Sequence, residues 1–309
     1  AFSASGQSLA SVGADGQVIV WSLPAGIERF TLQMPIASAD ASAVSETGGT
    51  SAGRAYHSPS AKTAQTSPAA RTSMPSSEPG KAVGKKERNR IRAIAVSPDA
   101  SRVVVASDRG LVPFRVGTDD ELTEASAGLT AATAVDFSPS GNAFYSVGRD
   151  SQVRRWRSDT GQLAQSFHGH EHPTTAIAVS RDGAFIASAG EETRIMLWSA
   201  AGKLVNILPA HRDFVSALAF HPTALQLASG GKDGSLFVWD PERTQPTLTL
   251  GGHSGSVTGL AYSRDGQTLA SAGADAKVKL WDTGTGRLVA SLAHPAPVQA
   301  LAISRSGRY

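Results

Sequence analysis

From His253 to Asp282, with Gly251 and Gly252 ahead of it, the chain reads GGHSGSVTGLAYSRDGQTLASAGADAKVKLWD. Three short apolar runs, Val257 to Tyr262, Thr268 to Ser271 and Val278 to Trp281, are separated by turn-formers at Ser263-Arg264-Asp265-Gly266 and Ala272-Gly273-Ala274-Asp275-Ala276. Runs this short, with Val278 and Leu280 alternating against Lys277 and Lys279, read as antiparallel strands rather than helices. One such unit cannot bury its own face. A repeated unit can, by stacking on its neighbours.

The repeat can be counted. Trp156, Trp198, Trp239 and Trp281 are separated by 42, 41 and 42 residues, and Phe114 stands 42 residues before Trp156. A period in this range, with strand-turn-strand grammar and a Trp-Asp ending, suits a four-stranded blade. On Gly252-His253, Asp275 and Trp281-Asp282, and on His211, Asp233 and Trp239-Asp240 in the preceding unit, the chain resembles the WD40 repeat family. The resemblance covers residues 2–32 and 91–309. It implies an all-β fold, a β-propeller of four-stranded antiparallel blades.

At 309 residues, one domain of stacked blades is expected over 1–309, with a departure at 35–90. That segment is built from Ala, Ser, Thr, Pro and Gly, with few large apolar residues beyond Val44, Tyr56, Met74 and Val83, and reads as a low-complexity insertion. It ends in a basic run at 81–92 (Lys81, Lys85, Lys86, Arg88, Arg90 and Arg92) that reads first as a solvated flank and second as a contact for an anionic partner. With no cysteine there is no disulfide, thiolate metal site or cysteine nucleophile. Lys and Arg number 29 against 26 Asp and Glu, too near balance to imply a nucleic-acid partner. No run approaches the length of apolar sequence that spans a membrane as a helix. Ala1 begins in what looks like the end of a strand, so the chain reads as a piece of a longer product.

From Ile91 the units continue with runs at 91–96, 103–106 and 111–116, then 134–137, 143–147 and 153–156, then 176–179, 185–187 and 195–198, before the two fullest copies at 214–240 and 256–282. The first unit, at 2–32, lacks most of its first strand, and the chain ends with a first strand, Val298 to Ile303, followed by a turn. Superposing Ser304 on Ser3 supplies His294, Ser11, Asp15 and Trp21 as one composite unit. The expectation is therefore a ring closed by pairing the N- and C-terminal segments, with a composite blade from 2–32 plus 294–309. Six blades are expected, with seven as the alternative if 35–90 folds as one.

His253, Ser271 and Asp275 have the residue types of a catalytic triad. However, His211, Ser229 and Asp233 repeat them at the same offsets of 18 and 22 residues, each time with a tryptophan 28 residues after the histidine. A hydrolase needs one such site with an oxyanion hole, whereas repetition in every unit points to architecture. The family resemblance implies a buried network through His211, Ser229, Asp233 and Trp239, through His253, Ser271, Asp275 and Trp281, and through the composite His294, Ser11, Asp15 and Trp21. His168, His170 and His172 have metal-ligand residue types, but His170 falls on the network position, so no metal is expected, and no cofactor motif is present.

The function expected is a non-catalytic scaffold for another protein or for a tethered domain of the same protein, and the alternative is a ligand-binding or enzymatic propeller using a central channel. Partner positions implied by the resemblance map to Arg149, Glu191, Lys232 and Ala274, with Phe214 and Ser256 at strand entries; Arg212 joins Phe214 and Lys232 in a mixed aromatic and cationic patch.

Overall fold

The computed structural model describes residues 8–12, 17–22, 27–33, 90–116, 132–209 and 211–303. These residues form six antiparallel sheets. The first holds β1 (Ser8–Val12), β2 (Gln17–Ser22) and β3 (Ile27–Gln33), and the second β4 (Ile91–Val96), β5 (Arg102–Ser107) and β6 (Gly110–Arg115). Four strands make up each of the rest. They are β7 (Ala132–Phe137), β8 (Ala143–Gly148), β9 (Val153–Arg157) and β10 (Leu163–Phe167); β11 (Thr174–Val179), β12 (Phe185–Gly190), β13 (Arg194–Ser199) and β14 (Leu204–Pro209); β15 (Val215–Phe220), β16 (Leu227–Gly231), β17 (Leu236–Trp239) and β18 (Pro246–Leu250); and β19 (Val257–Tyr262), β20 (Thr268–Gly273), β21 (Lys277–Asp282) and β22 (Leu288–Ala293).

Within each sheet the strands pair in sequence order, because their connections are too short for anything but a hairpin. The β11–β12 turn is representative. Ser180 Oγ donates to Asp182 Oδ1 (2.6 Å) and accepts from Phe185 N (2.9 Å), and Gly183 takes φ +72° to complete the reversal. Ser263, Asp265 and Gly266 repeat this geometry before β20.

The core lies between sheets. In β12 every residue after Phe185 is buried, since Ile186 and Ser188 face one neighbouring sheet while Ala187 and Ala189 face the other. Outer strands such as β14 keep most of their residues partly or fully exposed. Five apolar layers join the six sheets in a row. The layer between the second and third sheets packs Val104, Ala106 and Leu111 on Phe137, Phe144 and Trp156. Hydroxyls on the first strand of each later sheet reinforce the layers. Thr133 Oγ1 donates to the Thr174 carbonyl, Thr175 Oγ1 to that of Val215 (3.3 Å), Ser216 Oγ to that of Val257 (2.5 Å) and Thr258 Oγ1 to that of Val298 (2.6 Å).

The expected closed ring is not formed, and this corrects the sequence-based fold. Among the described residues, no strand from the C-terminal segment pairs with β1, which pairs with β2. Residues 298–303 take no ladder of their own. Val298 is held on β19 and β20 instead, where its carbonyl accepts from Thr258 Oγ1 and its N–H donates to Gly273 O (3.3 Å). Among the described residues, no apolar layer joins the sixth sheet to the first. The middle strand β21 is accordingly less buried than its counterpart β13, with Lys277, Val278, Lys279 and Leu280 all partly or fully exposed. Two of the six sheets are also three-stranded rather than four-stranded. The insertion expected at 35–90, which carries the seven-blade alternative, lies outside the described residues except for Arg90.

At Gly183 an added Cβ would meet only the Pro139 ring, Cδ at 3.4 Å and Cγ at 3.8 Å, which are ordinary contacts, so a substitution there isolates the backbone effect. Gly183→Ala is expected to lower stability by about 1–2 kcal/mol, the cost of holding an L-residue in the left-handed region, read as a shift in the urea-unfolding midpoint.

Candidate functional site

The repeated side-chain network, complete in the fourth, fifth and sixth sheets, occupies the end formed by the second-to-third-strand turn and the segment entering the first strand. In the fifth sheet Trp239 Nε1 donates to Ser229 Oγ (2.9 Å), Ser229 Oγ lies 2.8 Å from His211 Nε2, and His211 Nδ1 lies 3.3 Å from Asp233 Oδ1. In the sixth, Trp281 Nε1 donates to Ser271 Oγ (2.9 Å), Ser271 Oγ lies 2.8 Å from His253 Nε2, and His253 Nδ1 lies 2.8 Å from Asp275 Oδ1. One proton assignment satisfies every member. The indole donates to serine, the serine hydroxyl to Nε2, and Nδ1–H to the carboxylate, leaving a neutral imidazole. Asp233 and Asp275 then receive the backbone N–H of the residue after each histidine, Arg212 N (2.8 Å) and Ser254 N (3.1 Å). The turn is thereby tied to the incoming segment.

This arrangement does not expose a nucleophile. Ser229 and Ser271 are fully buried, and each hydroxyl is committed between an indole and an imidazole. Glycine makes room for the histidines, because a Cβ on Gly231 or Gly273 would stand 2.4 Å from His211 or His253 Nδ1 respectively. The sequence analysis counted Gly273 among the turn-formers and missed this close approach.

A further network, in the fourth sheet, joins Trp198, Ser188, His170 and Glu192. Ser188 Oγ is 2.7 Å from both Trp198 Nε1 and His170 Nε2, and Glu192 Oε1 accepts from Glu171 N (2.8 Å) and His172 N (3.1 Å). The longer Glu reaches the place taken elsewhere by Asp and also pairs with Arg194 (2.7 Å). The spacing of His170, Ser188 and Trp198, identical to that in the later units, was the signal for it. His168 and His172 are exposed, and no three His, Cys, Asp or Glu side chains converge to hold a metal among the described residues.

Two sheets carry the network only in part. Trp156 Nε1 donates to Ser146 Oγ (2.8 Å), but Asp150 pairs with Arg154 (2.6 Å) in a unit without the histidine. Trp21 Nε1 donates to Ser11 Oγ (2.9 Å), whereas Asp15 lies outside the described residues. The expected composite is not assembled. His294 is exposed and turns Nδ1 onto the Ala296 carbonyl (2.9 Å), because residues 298–303 follow β19 and not β1.

Of the partner-site candidates, the structure brings Arg212, Phe214, Lys232 and Ser256 together. Lys232 Nζ sits 4.5 Å from the Phe214 ring centroid, Lys232 N donates to Phe214 O (2.8 Å), and Ser256 Oγ donates to Lys232 O (3.4 Å). Arg212 and Lys232 are exposed and Phe214 is half-buried, with Arg212 placed beside Lys232 by the bond from its backbone N–H to Asp233. Arg149, Glu191 and Ala274 occupy the equivalent turn positions of the third, fourth and sixth sheets, one in each. Arg149 and Glu191 are exposed.

The family described as WD domain, G-beta repeat matches residues 1–22, 126–157, 161–199, 202–240 and 244–282, more than half of the chain. The chain belongs to the WD40 repeat family. The matched segments from 126 onward correspond to the third to sixth sheets, and the divergent second sheet, with Phe114 in the tryptophan position, is unmatched. WD40 relatives include the periodic tryptophan protein 2 homolog of Schizosaccharomyces pombe, 30% identical over 40% of this chain and 15% of that protein. Nuclear distribution protein PAC1 of Coccidioides posadasii is 27% identical over 33% of this chain and 26% of its own. The WD repeat-containing protein WDS homolog of Arabidopsis thaliana is 28% identical over 53% and 32%. The chain thus aligns with less than a third of each relative's length.

Ser229→Ala would leave both Trp239 Nε1 and His211 Nε2 buried without a partner, and a loss of about 2–4 kcal/mol is expected from two such groups, measured by urea unfolding followed through tryptophan fluorescence. The histidines also set a pH dependence. Burial pushes the His170 and His211 pKa values down, against the opposing pull of Glu192 and Asp233, so the folded protein holds these rings neutral while the unfolded chain protonates them at about 6.5. Stability is expected to be level above that pH and to fall as acid is added through it toward the lowered folded values. Asp233 is held near a pKa of about 2, its burial outweighed by hydrogen bonds from Ser235 and Arg212, so a second loss follows between about 3.8 and that value. Melting temperatures recorded across the acid range check both steps.

Proposed function

We propose that this WD40 chain is a non-catalytic scaffold that binds another protein, or a tethered domain of the same protein, through the turn end that carries the Trp-Ser-His-acid networks. The observation that supports it most is the Arg212, Phe214, Lys232 and Ser256 patch. A cation held over a half-buried aromatic ring, beside a second exposed cation, has the composition of an interface anchor. The network beneath favours the same reading, since Asp233 receives Arg212 N and Ser235 N and thereby presets the turn that carries Lys232. Arg149 and Glu191 would extend the contact along neighbouring turns, and the 35–90 segment would be an insertion in a single domain.

A scaffold is favoured over an enzyme because the His-Ser-Asp sets recur from sheet to sheet with their hydroxyls buried. Repeats of the WD40 family are associated with protein–protein interaction, which agrees with this reading. The test is capture of partners from lysate by the wild-type chain and by the triple variant Arg212→Ala, Phe214→Ala and Lys232→Ala. Specific capture should fall at least about tenfold, as loss of an anchor cluster predicts, with the melting temperature unchanged. Equal capture by both proteins would overturn the assignment of this face.

A further inference from the structure

A second cluster of cations lies at the opposite end of the sheets. Strand direction alternates within a sheet, so the β7–β8 and β9–β10 turns lie at one end of the third sheet and the acid-bearing β8–β9 turn at the other. Between the first pair of turns and the start of β5 in the second sheet is a cavity of about 510 Å³. Arg102, Arg155 and Arg157 line it, together with Asn142, Ser158 and the edge of Trp156.

The three guanidiniums are not equivalent. Arg157 is largely satisfied, with Nη2 3.0 Å from Asp159 Oδ2 and Nε 3.3 Å from Oδ1. Arg102 donates from Nη1 to Ser158 Oγ at 3.3 Å, but its Nε is buried and makes no hydrogen bond. Arg155 is half-buried and has no ion-pair partner among the described residues. Two cationic side chains therefore remain without a counter-charge at a site with one carboxylate against three arginines. Guanidiniums without a counter-charge offer charge-assisted hydrogen bonds to an oxyanion.

We propose that this cavity between the second and third sheets binds a phosphate monoester, with Arg102 and Arg155 as the phosphate-binding side chains. The charge left over, two guanidiniums, matches a phosphate dianion, and the planar fork of an arginine suits its oxygens. The cavity is larger than a free phosphate needs, and Ala143, Ala164 and Trp156 give it an apolar wall that suits the organic part of an ester. Asn142 is exposed at the rim and supplies a neutral polar group there. The ester can be carried by a small molecule or by a phosphorylated side chain of a protein. The site is independent of the scaffold reading, because it lies at the other end of the sheets from Arg212, Phe214 and Lys232.

Isothermal titration calorimetry of the full chain with phenyl phosphate, a phosphoserine pentapeptide, its unphosphorylated twin and inorganic phosphate tests this directly. At least one ester should bind with a Kd below about 1 mM, the unphosphorylated peptide should not, and affinity should fall with added salt. Arg155→Gln, at a side chain with no ion-pair partner among the described residues, should weaken ester binding about tenfold or more, and so should Arg102→Met if its melting temperature is retained. Tighter binding of the phosphopeptide than of phenyl phosphate assigns the ester to a partner's side chain, and the reverse assigns it to a small molecule. The patch variant at Arg212, Phe214 and Lys232 should bind the ester as the wild type does. No heat from either ester, or an affinity unchanged in folded Arg155→Gln, would overturn the proposal.

Discussion

The hydrogen-bonded chain from tryptophan through serine and histidine to an acid is the constraint on which the third-strand tryptophans and the turns both depend. An indole N–H buried without an acceptor would offset much of what its ring contributes to the layer between sheets. Serine supplies that acceptor, but its own hydroxyl proton then needs a destination, and a neutral imidazole is the side chain that accepts at one nitrogen while donating from the other. The acid closes the chain by taking the imidazole proton together with backbone N–H groups from the incoming segment. A single polar path thus links the apolar core to the turns that face solvent. The glycines at 231 and 273 follow from it, since any side chain there would meet the histidine ring.

Packing between sheets follows a different rule. The second strands of the middle sheets are covered on both faces, so nearly every residue is buried, as in Ile186, Ala187, Ser188 and Ala189 of β12 and in Phe144, Tyr145, Ser146 and Val147 of β8. The Thr and Ser hydroxyls of the first strands each reach a carbonyl in the next sheet, which sets the spacing of neighbouring first strands without a backbone ladder between them. Val298 meets Thr258 in the same manner as Val257 meets Ser216. The repeat therefore extends one contact past the sixth sheet, although no sheet is built on it.

The two ends of the sheets differ in chemistry because different turns close them. At one end Asp233 is engaged by His211 and backbone N–H groups, and the exposed cations Lys232 and Arg212 stand near Phe214 together with Asp213, whose carboxylate accepts from Phe214 N. At the other, arginines at the start of β5 and along β9 converge between two sheets with one acidic side chain to oppose them. A rigid repeat offers such contrasts at little cost, since turn residues vary while the strands beneath keep their register.

The sequence by itself determined the strand grammar, the period and the identity of the network residues. Tryptophan, serine, histidine and acid recur at constant offsets, and a constant offset within one hairpin unit gives a constant distance in space. His170, Ser188 and Trp198 were legible for the same reason, whereas the hydroxyls of Thr133, Thr175, Ser216 and Thr258 follow the same period but went unread, because their carbonyl partners belong to the next unit. Contacts between units were not legible, because they depend on which unit lies beside which. Matching offsets around Ser3 and Ser304 suggested a composite blade, yet repeat phase records only where a cut falls in the pattern. It carries no term for the apolar layer and the ladder that would join β1 to residues 298–303, and neither is formed. The arginine cavity was hidden likewise, since Arg102 and Arg155 belong to different units and meet only when the second and third sheets pack. Local pattern is encoded in covalent spacing, whereas adjacency between sheets is decided by burial summed over both partners.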